Sequence, residues 1–200
     1  MSAQCFVLMM RDMIVAFHLG AYIVGDTFER VNDLTKAYYS KENNAMRLPV
    51  TVVLDNLRSM YNVGALFRTV EAVGAERLLL CGFTPFPPRP KINKVSRGME
   101  EQVAWEYYHE TLPVLQREKA RGSTIVALEQ TKNSVPYDEV LYPFPCSLVV
   151  GFEVEGIADS VLEEADITVS IPMIGQGRSL NVVVALGVVL YEIVRQQKKA

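Results

Sequence analysis

A chain of 200 residues with 50% hydrophobic and 22% charged side chains can bury roughly 70% of its unfolded surface around one core, which excludes a disordered, collagen-like or coiled-coil protein. A formal net charge of −3 excludes a surface coated with cations to grip nucleic acid or anionic membrane nonspecifically, so any nucleic-acid site must be local. Cys5, Cys81 and Cys146 lie far apart without a CxxC pair, a pattern that suits a reducing cytoplasm better than a disulfide framework.

At the amino end, Cys5 to Met10 and Met13 to Gly25 are apolar runs separated by Arg11 and Asp12. The second run falls well short of the roughly 20 apolar residues of a membrane span and has no basic region before it. We read residues 1–48 as a short N-terminal segment, with a packed strand or helix and a polar connector, in part upstream of the natural start. Residues 49–200 then form one domain.

From Pro49 the chain alternates β-branched runs with amphipathic stretches, the signature of an α/β protein with a mainly parallel sheet flanked by helices. Five strands are predicted: Val50 to Leu54, Arg77 to Cys81, Thr124 to Leu128, Ser147 to Gly151 and Ile167 to Ile171. Each is apolar enough to be buried on both faces. Between the first two, Val63, Leu66, Phe67, Val70 and Val73 recur at helical spacing, and Gly74 is placed to end that helix. Thr84 to Arg97 is rich in proline and carries Arg89, Lys91, Lys94 and Arg97 with no acid among them, a loop with a positive face. The last helix, about Leu180 to Gln196, is apolar almost all round, more than one buried stripe requires, which points to a partner subunit.

Ligands of open parallel sheets gather at the carboxyl ends of the strands. After the first strand comes Asp55 to Thr69, a polar loop opening a helix, in which Ser59 or Asn62 suits an N-cap. After the fourth comes Gly151 to Gly156, with Glu153 at the strand's mouth. After the fifth comes Pro172 to Asn181, glycine-containing and leading into a helix whose free N–H groups suit an anion. This last loop is neither a GxGxxG fingerprint nor a P-loop. His18 and His109 are the only histidines, with no HExxH or GxSxG, so a zinc site or a hydrolase triad lacks parts.

Taken together these segments resemble the SpoU (TrmH-type) branch of the SPOUT RNA methyltransferases. Asn62 with Arg68 resembles the first motif, Leu148 to Gly156 the second, and Ile171 to Gly175 leading to Ser179 and Asn181 the third. The resemblance covers about Pro49 to Glu192. It implies methyl transfer from S-adenosylmethionine to a ribose 2′-hydroxyl in structured RNA, tRNA or rRNA, by a cytoplasmic homodimer without a metal, joined through the C-terminal helix and knot region. It also implies a deep trefoil knot in the C-terminal part of the sheet. By the same resemblance Asn62, Arg68, Glu153, Ser179 and Asn181 are the catalytic positions. The donor then sits against Leu128, Gly151, Ile171, Met173, Gly175 and Leu180, held mostly by backbone groups.

A guanidinium stays protonated and is a weak candidate for a base, so Arg68 is read as a clamp on phosphate and the developing oxyanion. A phosphate oxygen or solvent then takes the proton. On one helix Asn62 and Arg68 are about 120° out of phase, so they converge only if Asn62 lies in the preceding loop. Two departures stand out. Phe152 occupies a place where the family commonly has a small polar residue, which raises the alternative of a catalytically weak RNA-binding or assembly factor. The separate RNA-binding domain of many relatives is also missing, leaving target recognition to Arg58, Arg89, Lys91, Lys94, Arg97 and Arg178. A small-molecule Rossmann enzyme, the third reading, lacks the glycine pattern after the first strand.

Overall fold

The structure is a computed structural model that describes residues 47–198. The readings of residues 1–46, His18 and Cys5 included, lie outside the described residues. Seven parallel strands form one sheet. They are β1 (Leu48–Asp55), β2 (Ala75–Cys81), β3 (Trp105–Tyr108), β4 (Thr124–Leu128), β5 (Val135–Pro136), β6 (Cys146–Val150) and β7 (Ile167–Ser170). Their spatial order is β3-β2-β1-β6-β4-β7-β5. The helices are α1 (Met60–Ala72), α2 (Pro90–Ser96), α3 (Thr111–Ala120), α4 (Asp159–Leu162) and α5 (Val182–Gln197), with a 3-10 turn at Met99–Glu101.

The alternation of side chains along a strand divides the core into two layers. Val50, Val52 and Leu54 of β1 face a layer that holds Leu66 and Phe67 of α1 and Leu186, Val189, Leu190 and Ile193 of α5. Val53, with Leu79, Ile125 and Val149, faces Val114 and Leu115 of α3 and Val161 of α4. Both faces of the central strands are therefore covered, as their continuous apolar runs require. Gly74 takes φ 67° just beyond α1, and its N–H donates to the Glu71 carbonyl at 2.9 Å.

Two sequence readings need correction. The sheet has seven strands, because β3 and β5 are added at its two edges. Thr84 to Arg97 is not a loop throughout, because Pro90 opens α2 at its first turn, where a missing N–H costs nothing. Ile92 and Ser96, four residues apart, are the buried face of that helix. Its basic side chains remain exposed, so the positive face survives on a helix and its flanks.

The topology changes direction at β1. From β1 the chain moves outward to β2 and β3, then crosses to the other side for β4 and returns through β6. The loops that follow β1 and β6 therefore lie side by side at a switch point, where a crevice opens at the carboxyl ends of the strands.

Candidate active site

Three loops meet in this crevice, and one carboxylate joins two of them. Glu153 Oε2 accepts from the backbone N–H of Arg58 at 2.9 Å, and Oε1 accepts from the N–H of Ser59 at 3.1 Å and from Asn62 Nδ2 at 2.9 Å. The free N–H groups at the start of α1 make this possible, since a helix N-terminus favours an anion. Ser59 caps the same helix, its Oγ accepting from the Asn62 N–H at 3.2 Å. The third loop joins through Asn181, whose Nδ2 donates to Asn62 Oδ1 at 3.3 Å while its own Oδ1 caps α5 at the Val183 N–H, 2.9 Å away. Asn62 thus stands between Glu153 and Asn181, both ends of its amide engaged.

Partial burial pushes the Glu153 carboxyl up, but the Arg58 N–H, the Asn62 amide and the Ser59 N–H outweigh it and hold the group below the usual carboxylate range. A folded-state value below the unfolded one means that the clamp's contribution is complete above the ordinary carboxylate range. That contribution is lost as pH falls through the folded value. The amide resonances of Arg58 and Ser59 are accordingly expected to titrate with a midpoint below that of a free glutamate, and Glu153→Gln is expected to abolish the titration. A midpoint at or above the free value would contradict the clamp.

Behind the clamp lies a cavity of about 520 Å³ at the ends of β4, β6 and β7, within the size range of small-molecule sites. Of the expected donor residues, Leu128, Gly151, Ile171, Met173 and Leu180 line it, and so do Asn62, Glu153, Ser179 and Asn181 of the expected catalytic set. Gly175 is not part of the lining, and a Cβ built there would meet nothing within 4 Å.

Arg68 is not brought to the cavity either. Asn62 lies inside α1 rather than in the loop before it, so the condition for the two to converge in one chain is not met. Arg68 is exposed and forms no ion pair among the described residues. Of the expected RNA-contacting residues, Arg58 and Lys91 line a second groove beside the cavity. Arg89, Lys94, Arg97 and Arg178 are exposed.

Sequence reasoning missed Glu129, which lines the cavity just past β4. Its carboxylate accepts from the Ile157 N–H at 2.9 Å and the Gln130 N–H at 2.9 Å. The signal available was its place directly after an apolar strand, where the loops after β1, β6 and β7 had also drawn attention. No group of three or more His, Cys, Asp or Glu among the described residues is placed to hold a metal.

The family model for the SpoU rRNA Methylase family matches residues 49–191. The tRNA (guanosine(18)-2′-O)-methyltransferase of Aquifex aeolicus is 38% identical over 149 residues, covering 74% of this chain and 70% of the relative. The solved structure of the A. aeolicus TrmH/SpoU tRNA modifying enzyme superposes with a TM-score of 0.70 at 34% identity, covering 76% of this chain and 78% of that one. An AdoMet-bound rRNA methyltransferase from Sinorhizobium meliloti gives a TM-score of 0.70 at 28% identity, covering 75% of this chain and 57% of that one.

Proposed function

This chain belongs to the SpoU rRNA Methylase family, and on that premise we propose that it transfers a methyl group from S-adenosylmethionine to a ribose 2′-hydroxyl in structured RNA. The observation that carries the reading is the junction of three loops. Glu153 from the loop after β6, Asn62 from the first turn of α1 and Asn181 from the loop after β7 are hydrogen-bonded in a chain at the rim of one cavity. The A. aeolicus relatives, named for tRNA and more similar in sequence than the S. meliloti rRNA enzyme, favour tRNA over rRNA as the substrate. We assign the activity to residues 49–200.

The cavity suits the donor chemically. Leu128, Ile171, Met173 and Leu180 offer apolar walls to a purine and to the aliphatic arm of the donor, while Glu129 and the loop backbone offer acceptors to hydroxyl and ammonium groups. When bound, the donor supplies an electrophilic methyl on a sulfonium. The protein's part is alignment and charge stabilisation, since an in-line transfer needs the accepting oxygen held in line with that methyl. Asn62, Ser179 and Asn181 orient the ribose, and the intact Glu153 clamp fixes Asn62. Phe152 leaves that clamp in place, because its three bonds come from Arg58, Ser59 and Asn62. This favours an active enzyme over a catalytically weak assembly factor.

Arg68 enters from a second copy in this reading. Val184 and Tyr191 of α5 are 52% and 57% exposed, an apolar face without cover in one chain. Thr69, next to Arg68, lies beside this helix, its Cγ2 3.7 Å from where a Gly187 Cβ would sit. A homodimer formed on α5 and the knot region would bury that face and carry Arg68 into the partner's site. The trefoil knot, a cytoplasmic location and a metal-free reaction belong to the same proposal. No helix among the described residues is long and apolar enough to cross a membrane.

The test is transfer of labelled methyl from S-adenosylmethionine to tRNA and rRNA from cells lacking this protein, followed by nucleoside analysis. A new 2′-O-methylated nucleoside is expected. Intact donor binding with no incorporation into any RNA would favour the assembly-factor reading instead.

A further inference from the structure

Beside the donor cavity is a groove of about 430 Å³ that shares Asn62, Phe152, Glu153 and Val154 with it and adds Arg58, Tyr61 and Lys91. Phe83 stands at Phe152, the two rings edge-to-face with centroids 5.7 Å apart at 86°. Phe83 is 60% exposed and Tyr61 58% exposed. Leaving large rings in water forgoes the burial that stabilises the rest of the core; Tyr61 and Phe152 line the groove and Phe83 joins them through Phe152, an exposed aromatic cluster that calls for an occupant.

The backbone holds Phe83 in this place. Asn56 and Gly82 both adopt left-handed φ, 57° and 67°, a conformation that costs a non-glycine residue. Asn56 Oδ1 accepts from the Phe83 N–H at 3.1 Å, and the Tyr107 hydroxyl donates to the Gly82 carbonyl at 2.8 Å. Thr84 Oγ1 accepts from the Leu57 N–H at 2.9 Å. The exposed ring thus sits on a turn stitched to the loop after β1, where an ordinary surface loop would be free to fold it away.

We propose that Phe83, braced edge-to-face by Phe152, offers its ring face as a stacking platform for an unpaired base of the RNA substrate, with Arg58 and Lys91 taking the adjoining phosphates. The proposal rests on the reading of RNA as substrate and names the groups that position it. A ring face accepts any base, and stacking against aromatic side chains is a principal source of affinity for single strands. Charge selects this occupant over an apolar protein surface. Neither Arg58 nor Lys91 forms an ion pair among the described residues, and Glu153, the nearby carboxylate, is occupied by its three donors. Because the groove and the cavity share a rim, a base seated here places its own or a neighbouring ribose at the donor. Phe152, the departure from the family's polar residue, thereby acquires a role.

The experiment uses the full chain, a single-stranded RNA oligonucleotide carrying one 2-aminopurine, and bulk tRNA. The wild type is expected to bind the oligonucleotide and quench the probe. Phe83→Ala is expected to bind it about tenfold or more weakly, without quenching, and to raise KM for tRNA with kcat and donor affinity unchanged. Phe83→Trp is expected to restore both. Unchanged affinity and quenching in Phe83→Ala would overturn the platform, as would a change of sedimentation with RNA affinity intact, which would make this face a protein contact. A wild type that binds no RNA overturns it too. Binding and quenching without methyl transfer to any RNA would leave the platform standing and remove the methyltransferase reading.

Discussion

Arg68→Ala is expected to lower methyl transfer about 100- to 1000-fold while donor affinity stays within about threefold of wild type. Arg68 is exposed on α1 and is not among the residues that line the donor cavity, so its truncation leaves both the fold and that cavity intact. A guanidinium is a poor base as a functional group. It can neutralise the oxyanion that develops as the ribose hydroxyl loses its proton to a phosphate oxygen or to solvent. Single-turnover transfer and titration calorimetry with the donor separate the two effects. Equal loss of transfer and donor affinity would make Arg68 a structural residue. The origin of the side chain is tested by co-expressing Arg68→Ala with a variant whose donor cavity is closed. If Arg68 acts across the dimer, random pairing gives mixed dimers with one complete site and recovers about a quarter of the wild-type activity. Mixed dimers without recovery would place Arg68 in its own chain's site.

The central strands were legible because burial on both faces leaves an unbroken apolar run. Thr124–Leu128 was bounded by its own composition, and the strands around Val50, Arg77, Ser147 and Ile167 agree with the structure to within one or two residues. The edge strands carry no such signal. Trp105–Tyr108 is a short, half-exposed aromatic stretch, and Val135–Pro136 pairs over two residues and contains a proline; strands of that length are defined by the neighbour they pair with. At α2, prolines that read as loop punctuation include the one that starts the helix. At the site, position after a strand singled out three loops and Glu153, and the resemblance to the SpoU family supplied Asn62, Ser179 and Asn181. Their hydrogen-bonded order was not legible, because it depends on β1 and β6 being neighbours, a fact of topology. Arg68 marks a further limit, since periodicity put it on the wrong side of α1 to reach Asn62, and one chain's structure leaves it there.

Gly151→Ala is expected to weaken donor binding where Arg68→Ala spares it. A Cβ at this position would lie 2.5 Å from the carbonyl carbon and oxygen of Gly156 and from the Ile157 nitrogen, all backbone atoms that no rotamer change can move aside. Those atoms are fixed from both sides. The Phe152 N–H donates to the Gly156 carbonyl at 3.0 Å, the Gly156 N–H donates back to the Phe152 carbonyl at 2.8 Å, and the Ile157 N–H is held by Glu129 at 2.9 Å. Room for one methyl group therefore requires the whole turn to swing away from β6, which detaches Glu129 on one side and pulls Glu153 from Arg58 and Ser59 on the other. Overpacking of this kind costs about 1–3 kcal/mol; expressed in binding, that is a donor affinity weakened about 5- to 150-fold. Gly175→Ala is the matched control, because its Cβ meets nothing within 4 Å and Gly175 is not part of the lining, so donor affinity is expected to be unchanged. If calorimetry instead found Gly151→Ala binding the donor as the wild type does, while Gly175→Ala did not, the donor would lie at the part of the loop after β7 around Gly175, outside the cavity.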